Sequence, residues 1–372
     1  MRTSASKLKM AEMENPFRYF LHPINLCARI RISMPHAKHL SVNPYPLKLY
    51  ATPSGTHCAL AKRVAKLLDT ELSPVSYKLF KNGEFLIHHA ESVRDRDVYV
   101  IGQPRFGSKE ELAYDLDEIT SLVFALKQGE PARVTVIMPS LPYARQDRAS
   151  NHREPVLSQK IPMQLQMAGA YRLVVLKLHN PSSYNAHPLS IPIVDADTTD
   201  LIVEHIKSKK FDLKKLMIVA PDLGAAGSAR KIAGELGIPG NIVILNKLRD
   251  HKKANQNKIM EVIGDPAGYD CVVPDDIADT CGTAVNCFKA LKDNGAKKVY
   301  LAATHAILSG EAVKNLNSVA FSGVWFTDSC LSEESKKRVK KLEVISTGKL
   351  IAQLIDNLHN GKSVTALWHS GK

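Results

Sequence analysis

Cys271-Val-Val-Pro-Asp-Asp-Ile-Ala-Asp-Thr-Cys-Gly-Thr283 is the stretch on which the fold turns. Residues 271–274 form an apolar run of strand character that leads into two adjacent carboxylates, Asp275 and Asp276. Asp279-Thr280-Cys281-Gly282-Thr283 then opens a helix, so the segment reads as strand, acidic end, tight turn and helix start. A small turn at a helix start exposes backbone N–H groups, to which the Thr280 and Thr283 hydroxyls add donors. That combination suits a terminal phosphate, and the two preceding carboxylates suit the 2- and 3-hydroxyls of a ribose carrying it. An acidic strand end followed by an ordinary cap would explain Asp275-Asp276 alone, but not the whole string.

The same alternation extends on both sides. Apolar strands are expected at Leu47–Ala51, Asp97–Ile101, 133–138, 172–178, Leu216–Ala220, 242–246, 271–274 and 299–303. Helices are expected at 59–68, 112–126, 159–168, 199–207, 226–236, 283–294 and 350–358. Strands rich in β-branched residues alternating with helices argue for parallel α/β sheets. The pattern passes twice, giving an N-terminal domain over 47–193 and a C-terminal domain over 194–355, with the hinge near 192–195. Residues 356–372 are a candidate segment to pack on the N-terminal domain. In such sheets ligands gather outside the carboxyl ends of the strands.

Length and charge bound the function class. The 372 residues suit two domains, and 44% hydrophobic with 23% charged residues is a globular mixture. No apolar run is long enough to span a bilayer, so no membrane association is expected. The 50 Lys and Arg against 37 Asp and Glu give +13, which fits an acidic substrate. Nucleic-acid binding would give the same sign, but aromatics are only 6% and are not interleaved with basic residues, so no nucleic-acid partner is expected. The six cysteines are scattered without a CxxC pair and read as free thiols of a reducing compartment, hence a cytoplasmic expectation. Residues 1–46 carry seven basic and two acidic residues and five prolines. They read as a disordered tail or as an organelle-targeting segment.

The 271–283 string resembles the phosphoribosyl-pyrophosphate loop of the type I phosphoribosyltransferase fold. Further motifs narrow the resemblance to the ribose-phosphate pyrophosphokinases. Pro142-Tyr143-Ala144-Arg145-Gln146-Asp147-Arg148 resembles that family's adenine-contacting segment, and Phe80-Lys81-Asn82-Gly83-Glu84 its other ATP segment. Leu178-His179 and Ala220-Pro221-Asp222 resemble its metal-site strand ends. Lys247-Leu248-Arg249, followed by Lys252-Lys253-Ala254-Asn255, is similar to its catalytic loop. Thr304-His305, Leu308-Ser309-Gly310 and His359-Asn360-Gly361-Lys362-Ser363-Val364 are also similar, so the resemblance covers about residues 47–372 in order.

The resemblance implies two type I phosphoribosyltransferase-like α/β domains, each a mainly parallel sheet flanked by helices. It implies transfer of pyrophosphate from ATP to O1 of ribose 5-phosphate, with Mg²⁺ as cofactor. Lys247 and Arg249 are then the catalytic residues. ATP falls to Phe80, Asn82, Gly83, Glu84, Arg145 and Gln146. Ribose 5-phosphate falls to Arg249, Asp275, Asp276, Asp279, Thr280, Cys281, Gly282 and Thr283, and metal to His179 and Asp222. In the family the Phe80 segment serves a neighbouring subunit's site, which implies a dimer-based homo-oligomer, up to a hexamer.

Some positions depart from the family pattern. Lys177 stands where the family usually has Asp. Two residues from His179 on a strand, it is expected on the same face, where its ammonium repels Mg²⁺ unless it turns to a triphosphate oxygen or a nearby carboxylate. Pro274 enters a strand and forfeits a ladder N–H. The alternative these departures leave is a non-catalytic regulatory relative. A base phosphoribosyltransferase shares the 271–283 loop but needs neither Arg145-Gln146 nor a doubled domain. Gly361-Lys362-Ser363 is no Walker loop, because Asp356 occupies the earlier glycine position.

Overall fold

The computed structural model describes residues 43–53, 58–185, 191–247 and 260–368, all within one compact unit, Val42–Lys372. The N-terminal half runs β1 (Leu47–Ala51), α1 (Cys58–Leu67), β2 (Val75–Leu79), β3 (Phe85–His89), β4 (Asp97–Ile101), α2 (Lys109–Gln128), β5 (Arg133–Ile137), α3 (Lys160–Ala168), β6 (Arg172–Leu176), α4 (Ser182–Asn185) and β7 (Ile193–Ala196). The C-terminal half runs α5 (Thr199–Ser208), β8 (Leu216–Ala220), α6 (Ala226–Glu235), β9 (Ile242–Lys247), β10 (Met260–Ile263), β11 (Asp270–Ala278), α7 (Gly282–Asp293), β12 (Lys298–Ala306), α8 (Ala312–Asn317), β13 (Gly323–Thr327), α9 (Glu333–Arg338), β14 (Leu342–Ile345) and α10 (Gly348–His359).

Two sheets result, as the alternating pattern requires. The first is ordered β1-β4-β5-β6-β7 and is parallel throughout. The second is ordered β10-β9-β8-β11-β12-β13-β14, parallel except for the β9–β10 pair. β2 and β3 form a separate antiparallel hairpin. Strand residues alternate between faces. Leu173 and Val175 enter the core under α2 and α3, while Val174 and Leu176 enter the one under α1 and α10. Both faces are covered, which is why these strands read as continuous apolar runs.

The expected junction at 193/194 falls inside β7, which completes the first sheet by pairing with β6. The return of the chain to the N-terminal core also begins earlier than residue 356. Leu350, Ile351, Leu354 and Ile355 of α10 are buried against Leu60 and Val64 of α1 and the first sheet. Spaced by one, three and four residues, they form a single helical stripe.

Polar contacts tie the halves together. His305 Nε2 donates to the carbonyls of Leu176 at 2.8 Å and Lys177 at 3.2 Å, and the Thr198 and Thr304 hydroxyls lie 2.7 Å apart. Arg63 on α1 reaches Asp328 after β13 at 2.8 Å and Ser346 at 2.7 Å. Asp328 in turn accepts the Thr347 N–H and hydroxyl, each at 2.7 Å, just ahead of α10.

The far end of α10 is fastened by Asp97, a fully buried acid at the base of β4. Arg133 forks on to it at 2.6 and 2.7 Å, the Asn43 amide donates at 3.0 Å, Tyr99 Oη at 3.2 Å and His359 Nδ1 at 2.8 Å. Removing one member of a buried ion pair strands the other. Asp97→Ala should therefore cost about 3–5 kcal/mol in denaturant unfolding, while His359→Ala, which removes a single donor, should cost about 1–2 kcal/mol. Equal losses from the two variants would mean that the carboxylate is not the hub.

Candidate active site

The second sheet reverses its winding between β8 and β11, and that is where a crevice opens. β11 pairs with β8 only as far as Val272, but with β12 as far as Ala278. Pro274, which has no N–H to give, lies two residues past the last β8 pairing. The strand was expected to end at Pro274 and instead continues to Ala278, because β12 supports it on one side. Asp275 and Asp276 are therefore strand residues beside the gap, with Asp222 following β8 across it.

Two adjacent carboxylates in a half-buried crevice cannot both ionise freely. Burial, reinforced by the charge of Asp276, pushes Asp275 well above the usual carboxylate range. Asp276 moves the other way. Burial alone would raise it, but hydrogen bonds from His179 and Asp275 outweigh that and lower it. His179 Nδ1 donates to Asp276 Oδ2 at 2.6 Å, joining the end of the first sheet to β11.

Asp279, Thr280 and Cys281 make the turn into α7, which begins at Gly282. Cys281 caps the helix in a left-handed conformation with φ of 60°. Neighbouring groups brace the turn: Leu308 N donates to Ala278 O at 3.1 Å, Asn315 Nδ2 donates to Thr280 O at 2.9 Å, and the Ser309 hydroxyl binds Asp279 Oδ1. The first N–H groups of α7 have no intrahelical partner, as at any helix start. Burial pushes the Cys281 thiol up to about 12, so it stays protonated.

Arg145 crosses from the loop after β5 and donates to Asp279 Oδ2 at 2.8 Å. Tyr143, at φ of 62°, turns this loop, and Lys160 sits 5.0 Å over its ring. Arg145, Gln146, Lys177, His179, Asp279, His305 and Ser309 line one cleft of about 580 Å³. Its far wall, Phe106-Gly107-Ser108-Lys109, was not foreseen as part of the site. The signal was present in Ser108-x-x-Glu111, a capping pattern placing the helix start ahead of residue 112. Ser108 Oγ indeed accepts the Glu111 N–H at 3.0 Å.

The remaining expected site residues fall elsewhere. Phe80, Asn82, Gly83 and Glu84 form the tip of the β2–β3 hairpin, closed by Phe80 N to Glu84 O at 2.7 Å and Gly83 N to Phe80 O at 3.0 Å. They are not among the residues lining the cleft of this chain. Asp222 Oδ1 accepts the Ala225 N–H at 3.0 Å. His179 and Asp222 are not joined in one ligand set, and no group of three or more His, Cys, Asp or Glu is gathered for a metal among the described residues. Lys247 ends β9, paired with Met260 of β10. Arg249 lies outside the described residues.

Lys177 does not share a face with His179. β6 ends at Leu176, and Lys177 is left-handed at φ of 44°, so strand alternation no longer applies. Its ammonium turns to Asp197, at 3.6 Å.

The His179–Asp276 pair makes a pH prediction. The hydrogen bond that His179 donates to Asp276 raises the histidine above its ordinary value. The stabilisation it confers is complete below about pH 6.5, the unfolded histidine value, and is lost as pH rises through the higher folded value. In metal-free protein the His179 ring resonances should titrate above about 6.5, and Asp276→Asn should bring the midpoint down. An ordinary midpoint in the natural chain would remove the pair.

Known proteins are similar to this chain in sequence and in fold. A family model described as the N-terminal domain of ribose phosphate pyrophosphokinase matches residues 49–169, and one described as a phosphoribosyl synthetase-associated domain matches residues 241–369. A ribose-phosphate pyrophosphokinase of Chlorobaculum tepidum is 34% identical over 87% of this chain and 96% of its own. One of Bacillus caldolyticus is 34% identical over 87% of this chain and 98% of its own. The crystal structure of a phosphoribosylpyrophosphate synthetase from Mycobacterium smegmatis superposes with a TM-score of 0.75 at 30% identity, covering 85% of this chain and 99% of that one. With family models at both ends and relatives matched over nearly their whole length, the chain belongs to the ribose-phosphate pyrophosphokinase family.

Proposed function

We propose that the chain transfers the β,γ-pyrophosphoryl group of ATP to O1 of ribose 5-phosphate, giving 5-phosphoribosyl 1-pyrophosphate and AMP for nucleotide synthesis. The observation that carries this reading is the meeting of Arg145 with Asp279 across one cleft, which brings the nucleotide segment against the sugar-phosphate turn. O1 attacks the β-phosphorus as the bond from that phosphorus to the α,β-bridging oxygen breaks. AMP leaves with the bridging oxygen, and O1 gives up its proton.

Each segment has a task in that step. The α7 start, with Thr280, Cys281, Gly282 and Thr283, receives the 5-phosphate. Asp275 and Asp276 hold the ribose hydroxyls, with Asp279 bracing the turn. Arg145 stacks on the adenine and Gln146 reads its edge. Lys247 and Arg249 spread the charge of the transferring group. Phe80, Asn82, Gly83 and Glu84, away from this chain's own cleft, serve the nucleotide of a second subunit, which makes the enzyme a homo-oligomer built on dimers. Among the described residues Cys271, Cys281, Cys287 and Cys330 are free and buried, which supports a reducing compartment such as the cytoplasm.

Magnesium fits the donor set as an ion carried by the nucleotide. The acids at the crevice are oxygen donors, and burial disfavours the ionised form of Asp275. Mg²⁺ keeps several waters and takes few protein ligands, so Asp222, with His179 secondary, would hold it together with the triphosphate. Bound there, it would supply charge neutralisation for the transferring group.

AMP release from ATP that depends on ribose 5-phosphate tests the reading. Its absence in the full chain would favour a non-catalytic partner. Lys247→Ala should cut kcat about 10²–10³-fold with little change in KM. Asp275→Ala and Thr283→Ala should raise KM for ribose 5-phosphate far more than for ATP. Equal losses for both substrates would give these residues a purely structural role.

A further inference from the structure

We propose that Lys177 is a phosphate-binding residue of the cleft, its ammonium engaging a β- or γ-phosphate oxygen of the bound nucleoside triphosphate. This rests on the nucleotide assignment of the cleft made above and adds a contact that none of the motifs supplies. Lys177 is among the residues lining the cleft, together with His179, Arg145 and Gln146.

The backbone there is locked. Lys177 N donates to Ala196 O at 2.9 Å, its carbonyl accepts His305 Nε2 at 3.2 Å, and φ is 44°. Only the side chain is free to respond to a ligand. Its partner Asp197 is already well supplied. Lys231 from α6 contacts Oδ2, and Oδ1 accepts the Thr199 N–H at 2.9 Å and the Thr199 hydroxyl at 2.7 Å. Lys177 Nζ stands 3.6 Å from the same Oδ1, within ion-pair range but beyond a hydrogen bond. No side-chain hydrogen bond of Lys177 is found among the described residues.

One carboxylate thus stands between two ammonium groups. Asp195, the other acid facing Lys177, accepts the Leu178 N–H at 2.9 Å, and burial disfavours its ionised form. Lys177 is 28% exposed, so the ammonium is partly stripped of water and has donors to offer. Asp at this position would sit beside a divalent cation; lysine there is suited instead to the anion such a cation accompanies. A compact ammonium meets phosphate as a point charge and needs no fork geometry.

Calorimetric titration of the full chain with ATP, AMP and inorganic phosphate, in EDTA at low ionic strength, tests this. Lys177→Met should weaken metal-free ATP binding about tenfold, the loss expected of one hydrogen bond to a charged group, and leave AMP within about twofold. Lys177→Arg, which keeps the charge, should restore most of the ATP affinity. ATP binding unchanged in Lys177→Met, or AMP weakened equally, overturns the proposal. Loss of affinity for inorganic phosphate without loss for ATP overturns the nucleotide assignment in favour of a free-phosphate site. If thermal melting shows Lys177→Met unfolded, Lys231→Met serves instead. With one cation gone, Lys177 is drawn on to Asp197, so ATP affinity should fall, and an unchanged value overturns the proposal. AMP formation dependent on ribose 5-phosphate in the natural chain tests the reaction separately. Its failure would remove the reaction and leave the metal-free ATP result standing.

Discussion

β8 and β11 part after Val272, and the position of every acid in the crevice follows from that separation. A continuous ladder would have covered the flank of β11 with a neighbouring strand. Instead β12 alone carries the strand on to Ala278, and Asp275 and Asp276 stand beside an opening. The winding reversal requires some such gap, and Pro274 lies just where it begins. The same geometry delivers the chain into the Asp279–Cys281 turn and the start of α7. Carboxylates and helix-start N–H groups are thus set one after the other by a single strand end.

The joints between the two halves divide by strength. Away from the crevice mouth His305 on the Leu176 and Lys177 carbonyls and Thr198 against Thr304 are buried, while a half-exposed Arg63 reaches the buried Asp328. Losing such contacts leaves buried polar groups unmet, at about 1–3 kcal/mol each. At the mouth the joints are ion pairs open to water. Arg145 is 56% exposed where it meets Asp279. Pairs of that kind contribute roughly 0–1 kcal/mol, so an entering anion or sugar can displace them at little cost. Rigid joints behind and yielding ones in front keep the halves registered while the charged groups exchange partners.

Much of this was legible in the sequence, because buried parallel strands announce themselves as apolar runs. β1, β4 and β8 fall where the runs lie, and the 271–283 string marked the acidic strand end and the helix start. What escaped has physical reasons. β10 and β14 are four residues each, too short for a period to register. The β2–β3 hairpin is mixed in character: Tyr77 and Leu79 are exposed, while Val75 and Ile87 pack on the core. The stretch expected as a hinge near 192–195 is strand β7, in which Asp195 is retained by accepting the Leu178 N–H. The cleft wall at 106–109 depends on where α2 begins, which a cap fixes and apolar spacing does not.

Lys177 shows where local pattern yields to tertiary contact. Strand alternation holds only while backbone dihedrals stay extended, and β6 runs out one residue before Lys177. The next residue turns left-handed, its carbonyl held by His305 from the other sheet and its N–H by Ala196 of β7. The side chain consequently faces Asp197. Asp197 follows β7 and is fixed by Thr199 and by Lys231 of α6. Burial by itself would raise the Asp197 carboxyl, but Lys177, Lys231 and Thr199 together hold it well below the ordinary range. A lysine in an acidic crevice is thereby accommodated without a lone buried charge: the carboxylate that neutralises it comes from a different strand end, more than a dozen residues along the chain.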